Sequence, residues 1–272
     1  MTISEVKKRL QDAGTRPHRS SGQHFLLDEA VVERMADISD VQAGDTILEI
    51  GPGLGILTDV LLARGAQVIA VELDPRLADY LRRTHKHEDR LQVIEGDIFR
   101  VRLDSILGNT PFKLVSNLPY NITSLVLRFF LSGRLRPSDM TLLIQREVAE
   151  RAVATPGKMS LLALSVQWFS KPQKVFDVEG HSFFPIPEVV SSVLHCAQIG
   201  RGYAPEFEKE VFRLAKMGFA GKRKQLRNSL AAGLQQKNSQ VDELLLSSGV
   251  APEARPQDLA VQNWLTLAKN IS

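Results

Sequence analysis

Five short apolar runs separated by helix-like stretches occupy residues 46–145, and this rhythm constrains the fold more than any other feature of the chain. The runs are residues 46–50, 67–73, 91–95, 112–116 and 140–145. They are continuously apolar rather than alternating, as expected for strands buried on both faces of a parallel sheet. Residues 56–63 between them have helical spacing and close on Arg64-Gly65. Asp74-Pro75 opens a second helix, with Pro where the first turn tolerates it. Residues 124–131 make a third, and 28–38 form a helix ahead of the first strand. Past Gln145 the rhythm breaks. Residues 159–169 read as a helix, while 173–178 and 189–197 read as strands of an antiparallel hairpin at the sheet edge. After Gly200-Arg201-Gly202 the strand signals stop, and 207–217, 222–234, 241–247 and 259–270 read as helices. The expected fold class is α/β, a Rossmann-like, mostly parallel sheet with helices on both faces, plus a small all-α C-terminal domain. The expected domains are residues 1–200 and 201–272.

Charge follows the same division. Residues 1–199 hold 23 Lys+Arg and 24 Asp+Glu, a net of −1, whereas 200–272 hold 11 and 7, a net of +4; together they make the formal +3 of the chain. A basic C-terminal appendage suits a polyanionic partner. The first 22 residues, with Lys7, Lys8, Arg9, Arg16 and Arg19, read as a solvated basic tail. No apolar run approaches the roughly 20 residues of a membrane helix, so a cytoplasmic protein with no membrane partner is expected. The single cysteine, Cys196, cannot form an internal disulfide, and the six histidines show no ligand spacing. No metal is therefore expected.

The first strand ends in Gly51-Pro52-Gly53-Leu54-Gly55, where open α/β sheets bind ligands. Glycines there let a backbone approach a ligand closely. The third glycine of the dinucleotide fingerprint is replaced by Ile56, so the pattern is Glu-x-Gly-x-Gly-x-Gly from Glu49. The second strand ends in Glu72, placed to accept both hydroxyls of a ribose. The third ends in Gly96-Asp97, where an acceptor could take an adenine amino group. No phosphate-binding Lys follows the glycines, so the implied ligand is a nucleoside without phosphates.

The fourth strand ends in Asn117-Leu118-Pro119-Tyr120. Methylating an aromatic amine requires its delocalised lone pair to be freed, which happens when acceptors hold both N–H groups and favour a tetrahedral nitrogen. Asn117 offers a side-chain carbonyl. Pro119 stiffens a loop whose backbone carbonyl supplies the second acceptor. Tyr120 offers a ring for base stacking, worth about 1–3 kcal/mol. In Phe183-Phe184-Pro185-Ile186-Pro187, Phe184 reads as a core anchor, while Phe183 is open between core and site.

Together with Gln23-His24-Phe25-Leu26, these motifs resemble the rRNA adenine N6,N6-dimethyltransferases, and within them the small-subunit, kasugamycin-sensitivity branch. The resemblance runs from about residue 23 to residue 230. It implies a class I S-adenosylmethionine (SAM) methyltransferase with a seven-stranded sheet, acting as a monomer on two adjacent adenosines near the 3′ end of small-subunit rRNA in an immature subunit. His24 and Leu26 would touch the cofactor's methionine end through backbone, Gly51 and Gly53 would line its loop, Glu72 would hold the ribose and Asp97 the adenine. Asn117 would contact both cofactor and target amine, and Tyr120 and Phe183 would sandwich the target base. His24 departs from the Asn of many members. The segment from Phe219 to Leu230 is similar to a basic helix of the small-subunit branch, giving Lys222, Arg223, Lys224 and Arg227 as RNA contacts. The erythromycin-resistance branch, acting on large-subunit rRNA, shares the core motifs, and a binding factor without chemistry is the remaining alternative.

Overall fold

A computed structural model describes residues 1–17, 22–200, 202–221 and 224–271. They form two compact units: Met1–Ala149 with Lys171–Ile199, and Glu150–Ser170 with Gly200–Ser272.

In the first unit, helix α1 (Ile3–Asp12), the short strand β1 (Phe25–Leu26) and helix α2 (Glu29–Ile38) precede the alternating core. That core runs β2 (Thr46–Ile50), α3 (Ile56–Ala63), β3 (Gln67–Glu72), α4 (Pro75–Thr84), β4 (Leu91–Glu95), α5 (Leu103–Leu107), β5 (Lys113–Asn117), α6 (Thr123–Ser132) and β6 (Met140–Gln145). Helix α7 (Arg146–Ala152) crosses the division between the units. Strands β7 (Lys171–Val178), β8 (Phe183–Phe184) and β9 (Ser191–Ala197) complete the unit. The seven-stranded sheet has the order β4-β3-β2-β5-β6-β9-β7. Its first five strands pair in parallel, and β9 lies antiparallel between β6 and the edge strand β7. Neighbouring residues pointing to opposite faces are both sealed, as with Ile47 and Leu48, Leu114 and Val115, and Leu142 and Leu143, all 0% exposed. Both faces are therefore covered, which is why these strands carry no polar alternation. On one face α2 and α3 supply Val32, Met35, Leu57 and Leu61 against Ile47, Val68 and Val115.

The N-terminal segment departs from the expected tail, because α1 is amphipathic. Val6 and Leu10 lie four residues apart on one face and are buried with Phe25, Leu27, Leu54, Leu77 and Tyr80. Thr2 and Glu5 close its start as a capping box. Lys and Arg between the two apolar positions hid this stripe from a reading by charge.

The second unit is all helical: α8 (Leu161–Phe169), α9 (Pro205–Phe219), α10 (Leu226–Leu234), α11 (Asn238–Ser247) and α12 (Val261–Ile271). Trp264, fully buried, sits among Val211, Leu214, Leu226, Leu230 and Val241. Gly218 makes room for it, since a Cβ there would stand 2.6 Å from the indole. Residues 150–170 belong to this unit rather than to the sheet unit of the expected division at residue 200, because Leu164 of α8 joins the Trp264 core.

Candidate active site

Four strand ends of the first unit, those of β2, β3, β4 and β5, are tied together by hydrogen bonds. Gly51 N–H donates to the Val71 carbonyl at 2.8 Å, and Gly96 N–H to the Glu72 carbonyl at 2.8 Å. Ser116 Oγ donates to the Ile50 carbonyl at 2.6 Å. Above them opens a cleft whose lining includes Leu26, Gly51, Gly53 and Glu72 and, in a second wall, His24, Asn117, Pro119 and Tyr120.

The glycines are needed for conformation and for space. Gly51, Gly53 and Gly55 have φ of 65°, 59° and 85°, a region that penalises side chains. A Cβ on Gly53 would approach the Phe25 ring to 3.2 Å, and one on Gly51 would point at the Pro119 ring, 3.6 Å away, narrowing the cleft. Gly55 caps the start of α3, and its Cβ would strike Leu81 at 2.8 Å.

Glu72 is 4% exposed. Its Oε2 accepts the Gly53 N–H at 3.0 Å and its Oε1 the Asp74 N–H at 2.9 Å. Burial pushes this carboxyl up from its ordinary value, and the backbone donors pull it back. Each oxygen keeps a second lone-pair site, so two hydroxyls on neighbouring carbons can be accepted at once. That pair of acceptors fits the ribose of SAM.

Glu49 is a second acid under the same loop, 2% exposed. Burial raises its pKa to about 8, although the Thr58 hydroxyl donates to Oε2 at 2.6 Å; the nearby Asp59 and Glu72 add to the rise. It therefore keeps its proton at neutral pH. The sequence carries a signal for it, an acid inside the apolar run 46–50, beyond its place at the start of the glycine pattern.

The second wall is built around His24. Its Nδ1 faces the Pro185 carbonyl at 2.8 Å, which places the proton on Nδ1. Its ring stacks on Tyr120 at 5.4 Å with planes 27° apart. Its carbonyl accepts from Asn117 Nδ2 at 3.4 Å. The amide of Asn117 is thus turned so that Nδ2 faces His24 and Oδ1 remains as an acceptor. Leu118 N–H donates to the Leu143 carbonyl at 3.1 Å, and the Pro119 carbonyl accepts the Ile122 N–H at 3.2 Å. Tyr120 Oη and Ser191 Oγ are 2.7 Å apart. The loop is held at both ends before any ligand arrives.

Two expected residues stand elsewhere. Phe183 does not line the cleft. It is 1% exposed, pairs with Leu26 across the β1–β8 ladder, and packs in the α2–α3 core. The two-residue ladder turns it inward, so the aromatic neighbour of Tyr120 is His24. Asp97 also lies outside the lining and caps its own turn, with Oδ1 accepting the Phe99 N–H at 3.0 Å and Oδ2 3.6 Å from Arg100.

In the second unit, Lys222 and Arg223 lie outside the described residues. Lys224 is exposed. Arg227, expected as an RNA contact, is paired within the unit. It donates to Asp242 of α11 at 3.3 Å, with both side chains about a third exposed or less (34% and 27%). Among the described residues, no three His, Cys, Asp or Glu side chains gather as a metal site.

The profile of the family described as "Ribosomal RNA adenine dimethylase" matches residues 14–272. A Dehalococcoides mccartyi protein named "Ribosomal RNA small subunit methyltransferase A" is 38% identical over 270 residues, covering 97% of this chain and 92% of that protein. A Geobacter metallireducens protein of the same name is 36% identical over 267 residues, covering 96% and 97%. The crystal structure of the 23S rRNA methyltransferase ErmE superposes with TM-score 0.74 at 25% identity, over 90% of this chain and 98% of that one. A dimethyladenosine transferase from Plasmodium falciparum does so with TM-score 0.74 at 25% identity, over 90% and 96%.

Proposed function

Since this chain belongs to the ribosomal RNA adenine dimethylase family, whose members use SAM, we propose that it dimethylates the N6 amines of two adjacent adenosines near the 3′ end of small-subunit rRNA. The observation that carries the reading is the facing of Glu72 and the glycine loop by the Asn117–Tyr120 loop across one cleft. The choice of small-subunit RNA rests on similarity over nearly the full length, at 38% and 36% identity, to proteins named for that substrate. Superposition does not choose the substrate, because ErmE and the dimethyladenosine transferase match equally well.

When bound, SAM supplies an electrophilic methyl group on a sulfonium. Glu72 accepts the ribose hydroxyls, and the open faces of Gly51 and Gly53 admit the ligand. The backbone of His24 and Leu26 flanks its methionine end, and the half-buried Asp97 just past the end of β4 takes the adenine amine. Asn117 Oδ1 and a backbone carbonyl of the loop stiffened by Pro119 hold the two N–H groups of the target amine. Tyr120 stacks on the target base, which must be unstacked from the RNA to enter. No strong base is required, because the nitrogen loses its proton after attack; the residues act by positioning. The ring stacked on Tyr120 is His24, and Phe183 supports β1 through its pairing with Leu26.

The exposed Lys224, with Lys222 and Arg223, gives the second unit a basic RNA contact. Arg227 supports it by pairing with Asp242. No helix among the described residues is long and apolar enough to cross a membrane, and we place the enzyme in the cytoplasm as a monomer on an immature small subunit.

Transfer of labelled methyl from SAM to unmethylated small-subunit particles and, in parallel, to large-subunit rRNA tests the reading. Dimethyladenosine in the small-subunit sample alone is expected. Label only in large-subunit RNA overturns the substrate, and label in neither overturns the activity.

A further inference from the structure

A second cleft in the first unit lies apart from the one described. One wall is the exposed face of α6, where Leu125, Arg128 and Phe129 recur at helical spacing. Leu125 is 54% exposed and Phe129 37%. The other wall is the segment after β4, whose Phe99 meets the Phe129 ring edge-on at 5.6 Å and 76°. Arg134 stands at the end of the α6 wall, and Asp104 is the one acid in the lining. Arg128 and Arg134 are exposed and carry no ion pair among the described residues. The charge is local: residues 98–136 hold six Lys+Arg and one acid, within a stretch 1–199 whose net charge is −1.

We propose that this cleft is a binding track for a single-stranded stretch of the substrate RNA next to the methylated adenines. The proposal rests on the reading that the chain methylates RNA. Exposed aromatic edges beside unpaired guanidinium groups suit bases and phosphates together. An apolar peptide would cover the same rings at the cost of desolvating two arginines without partners. The track also adjoins the chemistry. Helix α6 opens at Thr123, directly after the loop that ends in Tyr120, so Leu125 lies in its first turn. With a rise of about 1.5 Å per residue, Arg128 follows roughly 5 Å further along. A strand leaving the target pocket meets the α6 stripe at once.

The test combines two variants with two readouts. The first readout is binding of a single-stranded oligoribonucleotide at several salt concentrations. Each phosphate contact contributes about 0.7 to the slope of log affinity against log salt, so R128E/R134E is expected to flatten it by about 1.4 and to weaken binding at least tenfold. Phe129→Ala keeps the charges, and is expected to weaken binding at least fivefold with the wild-type slope. The second readout is turnover on small-subunit particles, where R128E/R134E is expected to raise KM at least tenfold while kcat changes less than twofold. Wild-type slope and affinity in R128E/R134E overturn the proposal. So does a raised particle KM with wild-type oligonucleotide binding, which would assign the cleft to a ribosomal protein. Oligonucleotide binding needs no methyl transfer, so it decides the track even if neither ribosomal substrate is methylated; that result would defeat the functional reading alone.

Discussion

Glu49→Gln isolates the free energy of holding a carboxyl under the glycine loop. Its pKa is about 8 in the folded chain against 4.5 for an ordinary glutamate. A raised folded pKa means that the stability tied to this proton is fully present below pH 4.5 and is lost as pH rises through about 8. Each unit of separation is worth about 1.36 kcal/mol. Between pH 4.5 and pH 7 the unfolded chain releases the proton while the folded chain keeps it, so the wild type loses about 3 kcal/mol, and about 4 kcal/mol by pH 9. Gln fills the same space without a proton to release. The difference in stability between Glu49→Gln and wild type is therefore expected to grow by about 4 kcal/mol from pH 5 to pH 8, with the titrating groups remote from residue 49 cancelling. Both tryptophans, Trp168 and Trp264, lie in the helical unit, so fluorescence reports the wrong transition. Hydrogen exchange of the β2 and β3 amides, without cofactor and corrected for intrinsic rates, follows the sheet unit itself. A difference constant to within about 0.5 kcal/mol across that range, about an eighth of the effect and the ordinary size of a neutral substitution, would show that Glu49 does not hold its proton and would refute the reasoning.

Asn117→Ala is expected to lower kcat by about a hundredfold or more, the usual cost of one transition-state contact, while SAM affinity measured by calorimetry changes little; unaltered turnover would remove the amine-holding role. Tyr120→Phe keeps the ring and loses only the Ser191 contact, so its activity should stay within tenfold of wild type, whereas Tyr120→Ala should lose about 1–3 kcal/mol of base stacking, read as kcat/KM. Leu10→Ala, removing a side chain 4% exposed in the α1 cluster, is expected to destabilise the sheet unit by about 2–5 kcal/mol; no change in exchange would mean that α1 is the solvated tail its charges suggest. Gly218→Ala would place a Cβ 2.6 Å from the Trp264 ring, costing about 1–3 kcal/mol in the helical unit, where a shift in the tryptophan fluorescence midpoint reports it.

The parallel core was legible because continuous apolar runs bounded by helical spacing have few other uses, and Asp74-Pro75 and Gly55 mark helix starts by local chemistry alone. Glu72 was legible for a related reason: the position of a strand end follows from the topology. Short helices such as α5 and α7 were not, since five and seven residues are too few to show a period. Helix α1 was missed because its two buried side chains are outnumbered by charges, and only Phe25, Leu27 and Tyr80 reveal that its apolar stripe has something to cover.

Sequence by itself determined what depends on local chemistry and repetition: the sheet, the glycine loop, the identity of the acids, and a pattern of motifs specific enough to name a family. Tertiary structure decided which way side chains face and whom they meet. It turned Phe183 into the core through its pairing with Leu26 and put His24 beside Tyr120. It tied Arg227 to Asp242 fifteen residues away and sank Glu49 until its proton stayed on. Those outcomes depend on distances between residues far apart in the chain, and a one-dimensional pattern carries no such distances.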